Sequence, residues 1–158
     1  IEILQNANNI LMRKLKIAWD DRAEELPYKN MYEALVMASI IEKEVGVREE
    51  AAIIAGVFVN RLNIGMPLQS DPTVIYGMRD KFKGNIRKKD LKKDTIYNTY
   101  VRKGIPPSPI SLPSLNSIEA ALNPAKTNAL YFVAKGNRRH QFSATLKEHN
   151  KAVRKYQK

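Results

Sequence analysis

The sequence predicts an α+β fold that is mainly helical and carries one small β-hairpin. Three observations predict it. Apolar residues recur at three- and four-residue spacings over 1–26 and again over 30–45. The run Ala51-Ala52-Ile53-Ile54-Ala55-Gly56-Val57-Phe58-Val59 is apolar all round, as in a helix at the centre of a domain. Late in the chain, Tyr131-Phe132-Val133-Ala134 reads as a strand, Gly136-Asn137 as a turn and Gln141-Phe142-Ser143 as a returning strand.

The elements follow in order. Ile3, Ile10, Leu11, Leu15, Ala18 and Trp19 place a helix over 1–26, which Leu26-Pro27-Tyr28 breaks. Asn30 is the expected N-cap of a second helix, with Glu33 completing a capping box. That helix runs to Val45 and closes on Gly46 as a C-cap. A third spans 48–64. A strand over 53–59 is the competing reading, and the length of the run favours helix. Gly65, Pro67, Pro72 and Gly77 mark a loop with a short helix after Asp71-Pro72. Residues 80–93 are charged and read as solvated, and 104–113 as an irregular proline-rich loop. Ser114 or Ser117 caps a helix over 118–122, and a last helix follows Thr145.

At 158 residues the chain is expected to form one domain, 1–158, with helix 1–26 leading into it. There are no cysteines, which excludes disulfides and thiolate metal sites. The net charge of +11 leaves two readings open. One is a polyanionic partner, either nucleic acid or an anionic envelope; the other is a composition rich in Lys and Asn, since the excess is spread over the chain. No nucleic-acid recognition motif or basic recognition helix accompanies it. No run approaches the roughly 18 apolar residues of a membrane span. The chain starts at Ile1, without Met and within a helical pattern, and is expected to be a fragment of a longer protein.

One glutamate stands apart. Met31, Ala34, Leu35, Ala38, Ile41 and Val45 fall within one arc of about 120° at roughly 100° per residue, and Glu42 lies inside it. Glu33 and Glu44 fall on the opposite face. A carboxyl in apolar surroundings has its pKa raised, and can then donate a proton to a leaving oxygen near neutral pH. Helix geometry alone also allows Glu42 to pair with a buried polar group.

Further residues join this pattern. The run Ala38-Ser39-Ile40-Ile41-Glu42-Lys43-Glu44 is followed by Val57-Phe58-Val59-Asn60-Arg61-Leu62 and Gly65-Met66-Pro67-Leu68-Gln69-Ser70-Asp71-Pro72-Thr73-Val74-Ile75-Tyr76-Gly77. Tyr97-Asn98-Thr99-Tyr100, Gly104-Ile105-Pro106-Pro107, Asn123-Pro124-Ala125, Tyr131-Phe132-Val133-Ala134, His140, Phe142 and Glu148-His149-Asn150 come next. From about residue 30 onward the chain resembles the YceG-like family, the MltG-type endolytic murein transglycosylases. Ser108 and Ser114 stand where the family usually has glycine, which puts local loop geometry in question.

The resemblance implies a lysozyme-like, mainly helical catalytic domain acting on the glycan strand of peptidoglycan. It implies non-hydrolytic cleavage between N-acetylmuramic acid and N-acetylglucosamine, leaving a 1,6-anhydro end, with Glu42 as the catalytic glutamate. Lyase chemistry on a pyridoxal cofactor is a further idea attached to the family, but no lysine here is singled out for a Schiff base, so no cofactor is expected. The resemblance also implies an upstream LysM-like domain and a single membrane anchor outside this chain, a place on the periplasmic face of the inner membrane, and cell-wall synthases as partners. A single carboxylate suffices for such chemistry, because the sugar's own 6-hydroxyl serves as nucleophile where ordinary glycosidases use a second acid. A glycan-binding module without catalysis is the main alternative, and a basic nucleic-acid-binding protein a lesser one.

Other residues are candidates for the groove. Asp71 is either an N-cap or an electrostatic partner of the acid. Asn60, Gln69, Asn98 and Thr99 offer hydrogen bonds to acetamido and hydroxyl groups. Tyr76, Tyr97, Tyr100 and Phe132 offer flat faces to sugar rings. Arg61 is either a carboxylate binder or part of a buried ion pair. His140 is either structural or a substrate contact. With only two histidines in the chain, no metal site is expected.

Overall fold

The computed structural model describes residues 1–157. Its elements are α1 (Glu2–Asp20), α2 (Met31–Glu44), a 3₁₀ turn (Arg48–Glu50), α3 (Ala51–Asn63), α4 (Asp71–Met78), a second 3₁₀ turn (Arg79–Lys81), α5 (Lys88–Leu91), α6 (Leu115–Leu122), the strands β1 (Tyr131–Ala134) and β2 (His140–Ser143), and α7 (Leu146–Tyr156). The α+β class with one small hairpin is therefore the observed one. The strands pair antiparallel, Tyr131 opposite Ser143 and Ala134 opposite His140.

The core forms where α2, α3 and α6 meet, and Met37, Ile40, Ile41, Ile54, Phe58, Ile118 and Leu122 fill it without exposure. The apolar run is thus a helix, the most enclosed of the set. α1 rests on α6 through Leu15, Leu11 and Trp19, while residues 1–10 are exposed. It stops at Asp20 rather than reaching residue 26. Two acids, Asp20 and Asp21, sit at its C-terminal end, where the helix dipole is unfavourable to negative charge. The chain then turns back, and Ala23 donates its N–H to the Leu122 carbonyl of α6 (2.9 Å).

α2 begins as its sequence requires, with the Asn30 side chain accepting from the Glu33 N–H at 3.0 Å. Glu33 reaches back to the Lys29 N–H instead of that of Asn30, so the expected capping box is incomplete. The helix ends on Val45 in extended conformation, and Gly46 is not a left-handed cap. Gly46 serves a different purpose: a Cβ there would lie 1.9 Å from the Arg138 carbonyl oxygen, so only glycine lets the hairpin loop close against this turn.

The charged stretch contains two short helical turns, and of its side chains only Asp90 is buried. Ser114 caps α6 by accepting from the Ser117 N–H. Neither Ser108 nor Ser114 takes a positive φ, so serine in place of glycine strains neither position.

Candidate active site

The C-terminal end of α2 carries Glu42 and Glu44, and the fold surrounds them oppositely. Glu42 points toward the N-terminus of α6. One of its oxygens accepts from the Ser114 N–H (2.9 Å), the Ser114 Oγ (2.7 Å) and the Ser117 Oγ (2.6 Å). Burial pulls its pKa upward, but the bonds from Ser117 and Ser114, helped by Lys43, outweigh it and hold the carboxyl below its usual value. The expectation of a raised pKa at Glu42 is therefore corrected. The arc that contains it packs on α6, whose capping serines and N-terminal dipole stabilise a carboxylate.

Glu44 has the properties expected of Glu42. Burial pushes its carboxyl up to about 7, the nearby Asp71 charge pushes the same way, and Ser70 and Arg61 oppose both. Among the described residues its side chain has one hydrogen bond, from Ser70 Oγ at 2.6 Å. Ser70 is itself fixed from behind: its N–H donates to Thr99 Oγ1 (3.0 Å), which is hydrogen-bonded to Thr73 Oγ1 (2.8 Å).

Glu44 opens into a cleft of about 310 Å³ between the loop before α4, β1, β2 and α7. Arg61, Gln69, Asp71, Tyr100, Phe132 and His140 line it, as does His149. Arg61 is buried and organises the wall. Its guanidinium donates to the carbonyls of Leu130 (2.7 Å), Pro67 (3.1 Å) and Leu68 (2.8 Å) and to Gln69 Oε1 (3.3 Å). Among the described residues it forms no close ion pair, so the expected buried ion pair is not observed, while its side chain lines the cleft. Gln69 has φ +53°, a conformation that non-glycine residues adopt only when their surroundings enforce it.

Asp71 is the first residue of α4 rather than its N-cap, which is Ser70. Its Oδ1 accepts from the Tyr100 hydroxyl at 2.6 Å. Burial and this bond hold the Tyr100 hydroxyl firmly protonated. His149 stacks on Tyr131 with ring centroids 5.1 Å apart, and Arg61 covers the same tyrosine. Burial and the Arg61 charge push the His149 pKa down, so its ring is neutral at neutral pH.

Five other candidates lie outside the cleft. Asn60 donates to the carbonyls of Thr127 (2.8 Å) and Ala129 (3.0 Å) and joins α3 to the approach to β1. Asn98 is buried and knits its own turn, with Nδ2 bonded to the Asp90, Leu91 and Lys93 carbonyls. Thr99 acts behind the wall, through Ser70. Tyr76 and Tyr97 pack edge to face at 4.7 Å, and the Tyr97 hydroxyl meets Ser108 Oγ at 2.7 Å. A larger cavity, about 620 Å³, lies beside the C-terminal end of α4. Of its two acids, Asp90 is held below its usual pKa by the Arg87 N–H, so it offers no proton near neutral pH. Among the described residues no cluster of three or more His, Asp or Glu is arranged to hold a metal ion.

The sequence places Glu44 on the face of α2 opposite the apolar arc, names Ser70 and His149 only within family-like runs, and gives Glu50 no role. The signal for Glu44 was present: Ile40 stands one turn before it and Val36 two, so its side of α2 is apolar too.

Comparisons with known proteins agree with this architecture. The YceG-like family matches residues 2–155. The endolytic murein transglycosylase of Bacillus subtilis is 49% identical over 127 residues, 80% of this chain and 35% of that protein. The endolytic murein transglycosylase of Streptococcus pneumoniae (strain D39) is 43% identical over 107 residues, 65% of this chain and 19% of that protein. The crystal structure of the yceG-like protein lmo1499 of Listeria monocytogenes superimposes with a TM-score of 0.70 at 47% identity, covering 77% of this chain and 38% of that one. The chain thus spans about a third or less of the two transglycosylases it matches. It belongs to the YceG-like family.

Proposed function

We propose that this chain is the catalytic domain of a peptidoglycan lytic transglycosylase, with Glu44 as its acid and base. The observation that carries the reading is a glutamate with its pKa raised to about 7, at the edge of a cleft lined by aromatic and polar side chains. At neutral pH a substantial share of Glu44 is protonated. It gives that proton to the glycosidic oxygen as the bond from the muramyl C1 breaks. The muramyl C6 oxygen then bonds to C1, and its proton passes to the Glu44 carboxylate, restoring the acid. The product is a 1,6-anhydro end, and no water is consumed.

The neighbours suit this cycle. Ser70 fixes the carboxyl, and the charge of Asp71 raises its pKa. Asp71 is held by Tyr100, so it serves as a fixed charge rather than a nucleophile. Phe132 and Tyr100 supply apolar faces for sugar rings, and Gln69 presents its amide N–H₂, because its oxygen faces Arg61.

The names of the relatives point to the same substrate and the same endolytic cut. The setting we infer is the extracytoplasmic face of the inner membrane, with anchor and LysM-like domain outside this chain and cell-wall synthases nearby. No helix among the described residues is long and apolar enough to cross a membrane. The test is substitution of each glutamate. Glu44→Gln lowers cleavage of purified peptidoglycan about 10²- to 10⁴-fold, whereas Glu42→Gln retains it. Full activity in Glu44→Gln contradicts the assignment. Binding of glycan without products from the unsubstituted chain supports the non-catalytic module instead.

A further inference from the structure

The cleft wall formed by the hairpin contains a buried pair that the chemistry above does not use. Glu50, at the end of the 3₁₀ turn before α3, is 8% exposed. Among the described residues its carboxylate bonds to one residue alone, His140. Both oxygens accept from the His140 N–H (3.2 and 3.1 Å), and Oε2 lies 2.8 Å from His140 Nδ1. The two side chains are only 10% and 11% exposed. His140 is packed edge to face on Phe132, centroids 5.3 Å apart, and it lines the same cleft as Glu44.

A carboxylate can only accept, so the ring nitrogen facing it must carry the proton. In the neutral ring this leaves Nε2 with a lone pair, and the bond at one nitrogen sets the role of the other. The arrangement repeats the logic by which a carboxylate orients a metal-bound or catalytic histidine. Here the oriented nitrogen belongs to a cleft wall.

We propose that Glu50 is a positioning residue that locks His140 as a hydrogen-bond acceptor for the bound glycan, taking a hydroxyl or acetamido N–H of a sugar. This rests on the reading of the cleft as the glycan site. It adds a recognition element on the wall formed by the hairpin. Glu44 and Asp71 reach the cleft from α2 and α4, so the glycan is contacted from both sides.

The test uses the tetramer of N-acetylglucosamine as probe, with binding followed by NMR separately from cleavage of peptidoglycan. In the unsubstituted chain the ¹⁵N shifts and couplings of His140 show the Nδ1-protonated tautomer. His140→Phe keeps the packing on Phe132 and weakens tetramer binding about tenfold, the worth of one good hydrogen bond. Glu50→Gln weakens it by a similar factor. The double variant is no weaker than His140→Phe alone, because Glu50 acts only through the ring.

An Nε2-protonated ring, unchanged binding in either single variant, or additive losses in the double variant overturns the proposal. A merely structural role for Glu50 gives additive losses, and the tautomer is read in the unsubstituted chain whether or not a variant folds. Glu44→Gln, run alongside, loses cleavage but keeps tetramer binding. If Glu44→Gln loses cleavage while the Glu50 and His140 variants bind normally, this inference fails and the function stands. If Glu44→Gln still cleaves, or the unsubstituted chain ignores the tetramer, the reading of the site fails first.

Discussion

Glu42 and Glu44 stand two residues apart on one helix, and their surroundings drive them in opposite directions. Three donors at the start of α6 favour the charged form of Glu42, while burial and Asp71 favour the neutral form of Glu44. The consequences for pH have opposite signs. Glu44 must be protonated to act as the acid, so the rate of cleavage falls as pH rises through about 7. Asp71→Asn removes a charge that raises this pKa, and moves the alkaline fall in rate to lower pH. Ser70→Ala removes a bond that lowers it, and moves the fall to higher pH. A pH–rate profile of both variants checks the pair of shifts, and equal or reversed displacements contradict the account. Glu42 is a matter of stability. Its folded pKa is depressed, so its stabilisation is present above the ordinary value of 4.5 and is lost as pH falls through the folded pKa. Thermal unfolding at pH 7 and pH 3 should therefore separate Glu42→Gln from the unsubstituted chain at the higher pH and bring them together at the lower.

At the scale of elements, α2 decides what was legible in the sequence. Its existence, its Asn30 cap and its apolar character could be read from the spacing of residues 30–45. The side that faces the cleft could not. A single-arc reading assumes one buried face and one wet face, and it made Glu42 the inward residue. In the folded chain Ala34, Val36, Met37, Ala38, Ser39, Ile40 and Ile41 are all buried, because α6, α3, α1 and α4 all pack against α2. With more than one face covered, the angle along the helix no longer tells an acid in a cleft from one held at a helix cap. The remaining cleft residues were legible in part. Arg61, Gln69, Asp71, Tyr100, Phe132 and His140 do converge, whereas the amides of Asn60 and Asn98, which the sequence offers to acetamido and hydroxyl groups, instead satisfy backbone carbonyls. Side-chain amides serve both purposes, and sequence alone does not distinguish them. Close approach between elements was equally hidden. Gly46 read as a cap, yet it makes room for the Arg138 carbonyl. Gly46→Ala should destabilise the chain by about 1–3 kcal/mol through this clash, a loss measurable by denaturant unfolding. An unchanged midpoint contradicts the stated role of the glycine.

At the scale of the whole molecule, three central helices hold the two walls of the cleft in place. Arg61 ties the loop carrying Gln69 to the start of β1, and Gly46 admits the hairpin loop. Most Lys and Arg side chains among the described residues are exposed, and the net charge of +11 favours electrostatic attraction to a polyanion. Raising salt should therefore raise KM for purified peptidoglycan several-fold, roughly as screening of exposed charges requires, with kcat little changed. We assign the reacting proton to Glu44. The most direct test is mass spectrometry of peptidoglycan incubated with the unsubstituted chain, with Glu42→Gln and with Glu44→Gln. The expected result is 1,6-anhydro ends from the first two and none from the third. Anhydro ends produced by Glu44→Gln and lost in Glu42→Gln would contradict it.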